Sequence, residues 1–205
     1  MATLRLDLRG LGPGQAPPRE DVGEAGGADA VVVLGPVPAL AGVLGALHKA
    51  GRTAGVPVSW EPGEDDDSRG LARDLGIGSG ADRELSLVLD DHGGVLLHRG
   101  RIQPVTDEPR HVLGRRLGLQ AHHDAAKVAD GPVTRIDCRP DWTAVDRLKV
   151  FVTVVPLRPV RRSTGRALQV ASDPAQVIRD GVPYPRPVTK WTWFADPRVR
   201  WLLRP

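Results

Sequence analysis

Four consecutive acids, Glu64-Asp65-Asp66-Asp67, and the triplet His122-His123-Asp124 are the densest groupings of side chains with metal-binding chemistry. A hard cation needs several carboxylate oxygens converging on one point, and zinc needs three or four matched ligands. The acids instead stand just ahead of a short helical stretch, where negative charge suits the helix dipole. They are expected to form a solvated loop and helix start. Adjacent histidines on a helix diverge by about 100° around its axis, so His122-His123-Asp124 is expected on an exposed helical segment, and no metal site is expected.

Cys138 is the only cysteine, which excludes an internal disulfide. It lies in an apolar run and is expected in the core. Gly76-Ile77-Gly78-Ser79-Gly80 has the glycines of a dinucleotide-binding turn but follows a helix where that turn must follow a strand. Neither a GxxxxGK[ST] phosphate loop nor a GxSxG nucleophile elbow occurs.

The elements that must position these residues follow from the apolar pattern. Thr3 to Leu8 alternates as a short strand, and the Gly/Pro-rich acidic stretch 10–27 is expected to be a loop or partly disordered. Ala28 to Leu34 is a continuous apolar run, as in a buried parallel strand. Leu40, Val43, Leu44 and Leu47 share one helical face, and Gly51 ends that helix. Val56 to Trp60 reads as a strand, Leu71 to Leu75 as a short helix and Leu85 to Leu89 as a strand. A fourth strand, Val95 to His98, follows a hairpin turn at Asp91-His92-Gly93-Gly94. This order defines an α/β sheet over residues 1–100.

Residues 101–131 are expected to be a polar linker with one helix around Gln120 to Val128. From residue 132 onward short strand candidates recur: Val133 to Cys138, Leu148 to Val155, Ala167 to Ala171, Gln176 to Arg179, Val188 to Phe194 and Arg200 to Leu203. Turn signals at Arg139-Pro140-Asp141, Ser172-Asp173-Pro174 and Asp180-Gly181 separate them. Such spacing indicates an all-β sandwich over 132–205. With 24 Gly, 19 Pro and 40% apolar residues, the composition suits many short strands around a Val/Leu/Ala core.

Three stretches resemble the diacylglycerol kinase, sphingosine kinase and NAD kinase superfamily. Val31 to Leu34, the bend Gly35-Pro36-Val37-Pro38-Ala39 and the following helix are similar to that family's strand–GGDGT–helix element. Val56-Pro57-Val58, Glu61-Pro62-Gly63 and Leu71 to Ile77 are similar to its P-x-GTGNDFAR-x-LG stretch. Leu168-Gln169-Val170 with Val177 to Pro183 is similar to the sandwich strand pair carrying a DGE turn. The resemblance spans roughly residues 28–98 and 132–205.

It implies an α/β nucleotide-binding domain joined to a β-sandwich, with ATP and Mg as cofactors of an active member. It also implies that Gly35 to Ala39 occupies the phosphate-binding bend. There Pro36 and Pro38 each lack an amide donor, Val37 stands in place of an acid, and Ala39 in place of a threonine. At the DGE turn Asp180 and Gly181 remain, while Val182 replaces the glutamate that serves as base in the family. General-base assistance is worth about 10²–10⁴-fold in rate. A catalytically impaired homologue with a binding or regulatory role is therefore expected. If transfer survives, Asp180 is the acid left to support it.

Charge divides unevenly. Residues 1–95 hold 8 Lys and Arg against 15 Asp and Glu, whereas residues 96–205 hold 20 against 10. The basic half suggests a third reading, a non-enzymatic protein binding an anionic lipid or membrane surface, although the arginines look scattered in sequence. Nucleic acid is not expected as a partner, and a homodimer is compatible with the sequence. No apolar run reaches 18 residues, and the expected compartment is the cytoplasm.

Overall fold

The computed structural model describes residues 2–105, 115–155 and 159–204. The first elements are β1 (Thr3–Asp7), α1 (Arg19–Gly23), β2 (Ala30–Gly35), α2 (Val37–Lys49), β3 (Pro57–Pro62) and α3 (Asp66–Leu75). Strands β1, β2 and β3 run parallel, with Val31 opposite Leu4 on one side and Val58 on the other. The helical stripe Leu40, Val43, Leu44 and Leu47 is fully buried on them. Pro36 caps α2 with an extended backbone, and Pro38 sits in the first turn, where a missing N–H breaks no helical bond. Gly51 beyond its end takes φ 67°, as a helix-terminating glycine does.

The stretch 10–27 is more ordered than its composition suggests. Pro18 precedes α1, Glu20 and Asp21 occupy its first turn, and a 3₁₀ turn over Glu24–Gly27 follows. Val22 and Ala25 are buried in the first core, so two apolar side chains anchor a segment that reads as a loop.

The second half is made of strands: β4 (Arg83–Asp90), β5 (Val95–Leu96), β6 (Gly100–Pro104), β7 (Leu117–His123), β8 (Ala126–Val133), β9 (Arg135–Pro140), β10 (Leu148–Thr153), β11 (Arg161–Gly165), β12 (Ala167–Arg179), β13 (Val182–Pro183) and β14 (Val188–Leu203). The helix expected at Gln120 to Val128 is absent. That segment is the β7–β8 hairpin, turning at Asp124, whose φ is 53°. Leu117, Leu119, Ala121 and His123 alternate inward with period two, and this burial overrides the helical propensity of the alanines. The linker expected at 101–131 thus contains β6, β7 and most of β8. Its residues 106–114 lie outside the described residues.

Two expected breaks are bulges within long strands. Ser172-Asp173-Pro174 does not turn the chain back. The β12–β14 register shifts between Ala171 and Ala175, and there β12 exchanges one neighbour for another. Residues 168–172 pair with β7 and residues 175–179 with β6. Pro174 lacks the amide a regular ladder would need, and the bulge absorbs it. The same occurs in β14 between Asp196 and Arg200, around Pro197. This lets one strand serve two cores: Trp201 and Leu203 pack with α2 and α3, while Trp191 and Trp193 pack in the all-β half. The molecule is thus α/β in its N-terminal part and a β-sandwich toward the C-terminus.

Candidate functional site

The bend at residues 35–39 and the turn at Asp180 are far apart in sequence but are linked by a continuous line of contacts. The Gly35 carbonyl accepts from Trp60 Nε1 at 2.9 Å and from the Gly63 amide at 3.0 Å. Two residues on, Asp65 caps α3, accepting from the Ser68 amide at 2.8 Å and the Ser68 hydroxyl at 2.6 Å. Asp67, in the first turn of α3, meets Arg99 Nη2 at 2.9 Å and His98 Nε2 at 3.2 Å. The backbone of residues 97–99 is held in turn by Asp180.

At the bend itself the residues present do not fit a polyphosphate. Phosphate is gripped by amides that converge at a glycine-rich turn and a helix N-terminus. Pro36 and Pro38 have no amide hydrogen, and the Ala39 amide already donates to the Pro36 carbonyl at 2.9 Å. Gly35 takes φ 139°, and a Cβ built on it would lie 2.8 Å from the Leu8 carbonyl group. Its glycine therefore admits the close approach of the chain after β1, at Leu8 and Arg9. Val37 and Ala39 point into the core at 1% and 0% exposure. The acidic run sorts into a helix cap and ion pairs, with Asp66 bonding Arg69 Nη2 at 2.7 Å.

Asp180 is 6% exposed and has φ 47°. Its Oδ2 accepts from the Leu97 amide, and its Oδ1 accepts from the amides of His98 and Arg99, all at 2.8 Å. Its own amide donates to the Arg99 carbonyl at 2.8 Å. Burial pushes its carboxyl above the ordinary carboxylate range, and the three amides pull the other way. A group with both oxygens filled by backbone donors serves as a clamp between the β12–β13 turn and the chain after β5. Val182, beside it, begins β13.

Sequence inspection missed two groupings. Asp90 has a fully buried side chain that accepts from the His92 amide at 2.9 Å and the Gly94 amide at 2.8 Å, and it pairs with Arg179 Nη1 at 2.7 Å. The second is a cluster of arginines on β6, β9 and β11. These are scattered in sequence but occupy alternate positions on strands that are neighbours in the sheet, and that alternation was the available signal. Of the remaining candidates, Cys138 is fully buried and its thiol is pushed far up by burial. His123 is buried, with Nδ1 2.7 Å from Ser163 Oγ, while Asp124 binds the amides of Arg166 and Ala167. His123 thus packs inward from a strand, where an exposed helical face was expected. Among the described residues no helix is long and apolar enough to cross a membrane.

The architecture just described is that of known kinases. A diacylglycerol kinase from Bacillus anthracis str. Sterne superposes with a TM-score of 0.68 at 10% identity, covering 99% of this chain and 96% of that one. An NAD kinase from Archaeoglobus fulgidus, solved in complex with ATP, gives 0.56 at 11% identity over 93% of this chain and 82% of its own. A yeast NADH kinase complexed with NADH also gives 0.56, at 9% identity, over 91% and 64%. No protein-family model and no curated protein sequence matches the chain. The chain therefore has the fold shared by diacylglycerol kinase-like lipid kinases and NAD kinases.

Proposed function

We propose that this protein is a lipid kinase-fold homologue in which phosphoryl transfer is lost or strongly impaired, and in which the fold serves a binding or regulatory role. The observation that carries this reading is the bend at residues 35–39. Phosphoryl transfer depends on positioning and on neutralising phosphate charge. Here two of five positions are prolines, a third amide is consumed locally, and the backbone of Leu8 and Arg9 packs closely against Gly35. Val182 cannot take a proton, and Asp180 holds backbone instead of facing a substrate. Because ATP and Mg do not fit at this bend, no catalytic step is derived through them. With Cys138 free and buried, the cytoplasm remains the proposed compartment.

The test is a transfer assay: purified protein, radiolabelled MgATP, and mixed micelles containing diacylglycerol or sphingosine. No label above the protein-free control is expected in the lipid fraction. Turnover that scales with protein concentration and is abolished by Asp180→Ala in a folded variant would establish an active kinase using other residues.

A further inference from the structure

The four-stranded antiparallel run β6-β9-β10-β11 has two unlike faces. Ile102, Ile136, Cys138, Leu148, Val150 and Val152 point into the second core. The alternate positions on the other face carry Arg101 opposite Asp137, Asp137 opposite Phe151, and Phe151 opposite Arg162. With Arg99, Arg135, Arg139 and Thr153 they line a hollow of about 290 Å³. Five guanidinium groups therefore face one carboxylate. Arg139 also stands opposite Lys149, and like charges opposed across strands destabilise a sheet, so the excess positive charge of this face calls for an anion.

The arginines are also pre-positioned. Asp137, 12% exposed, accepts from Arg101 Nε at 2.7 Å and from Arg135 Nε at 2.8 Å. It uses only the Nε–H of each, which fixes both side chains and leaves their terminal Nη donors available. The Arg162 guanidinium lies over the Phe151 ring, 5.9 Å from its centroid. Arg99 is tied through Nη2 to Asp67, and its Nε is buried with no partner among the described residues. Arg139 and Arg162 have no carboxylate partner among the described residues. A guanidinium fork matches the oxygens of a phosphate group, and planar groups held in advance lose little freedom on binding one.

We propose that this hollow is a binding site for a phosphomonoester dianion, carried either by a lipid headgroup at a membrane surface or by a soluble organic phosphate. The site lies on the outer face of the all-β half and does not use the bend at residues 35–39. It therefore stands whether or not any phosphoryl transfer survives.

The experiment titrates the full chain with glycerol 3-phosphate by calorimetry. In parallel, co-sedimentation is measured with phosphatidylcholine vesicles containing phosphatidic acid, or containing phosphatidylglycerol as a phosphodiester control. The variant is Arg139→Gln/Arg162→Gln. It breaks no ion pair among the described residues and gives up only the Arg162–Phe151 contact, so its melting temperature is expected to stay within about 4 °C of the parent; the two single variants are read in the same way. Losing two charge-assisted contacts is expected to weaken binding at least tenfold. Binding of glycerol 3-phosphate that is lost in the variant supports a soluble ligand. Binding of phosphatidic acid vesicles alone, lost in the variant, supports a headgroup. The proposal is overturned if neither probe binds, if the double variant binds like the parent, or if phosphatidylglycerol vesicles bind as well as phosphatidic acid vesicles.

Discussion

Asp180→Asn separates a structural clamp from a chemical group. The asparagine oxygen can keep the two amides of His98 and Arg99, while its NH₂ must replace Oδ2 and face the Leu97 amide now held at 2.8 Å. Losing one hydrogen bond to a charged acceptor costs about 1.5–3 kcal/mol. The two retained bonds lose their charge assistance, which roughly halves each. The φ of 47° adds little, because asparagine tolerates that region. Together these give about 3–6 kcal/mol, and relief from burying a charge brings the net loss to the lower end, roughly 3 kcal/mol. With an m-value of about 2 kcal/mol/M, the urea midpoint should fall by about 1.5 M without a change in slope. Asp180→Ala, which orphans all three amides, should cost more. A midpoint within about 0.3 M of the parent for Asp180→Asn would refute the clamp. It would show that the carboxyl carries a proton in the folded state or that water satisfies the three amides equally well.

Other substitutions test neighbouring links. A Cβ at Gly94 would lie 1.0 Å from Arg179 Nη1, so Gly94→Ala expels the guanidinium from buried Asp90 and should cost about 3 kcal/mol by denaturant unfolding. Adding Arg179→Ala to that variant should then cost little more. Asp67 is half exposed, so Asp67→Asn should lower stability by less than about 1 kcal/mol despite two cationic neighbours. His123 has its pKa lowered by burial, which the charge of Asp124 offsets in part. Below about pH 6.5 the unfolded chain therefore binds a proton that the folded one refuses, and stability should fall on acidification through that range by up to about 1.4 kcal/mol per pH unit. His123→Gln should flatten this dependence in unfolding midpoints measured between pH 7 and pH 5; an unchanged slope would assign the loss to other groups.

The parts of the fold legible in the sequence were those where local pattern and tertiary burial agree. The apolar run 31–34, the stripe Leu40/Val43/Leu44/Leu47 and the acids at the start of α3 each lie in the element expected. Failures came where long-range pairing decides. Gln120 to Val128 has helix-forming residues, yet β12 offers His122 and His123 ladder partners, and hydrogen bonding to a strand more than forty residues away cannot be read locally. Ser172-Asp173-Pro174 has turn chemistry, and the chain uses it to shift register within a strand. The arginine face required knowing that β6, β9, β10 and β11 are neighbours. At the bend the order of residue types was informative because a proline lacks its amide in any fold. The close approach of Leu8 and Arg9 to Gly35 was not legible, since it depends on where β1 docks.

The most direct test of the lost phosphate grip follows individual backbone amides by NMR while MgATP is titrated into labelled protein. Gly35, Val37 and Ala39 are the three positions of the bend that carry an amide hydrogen. They are expected to keep their chemical shifts throughout, even if arginine resonances on the outer face of the sandwich respond. Saturable shifts at those three amides, together with matching changes at Gly63, would mean that the bend holds nucleotide after all.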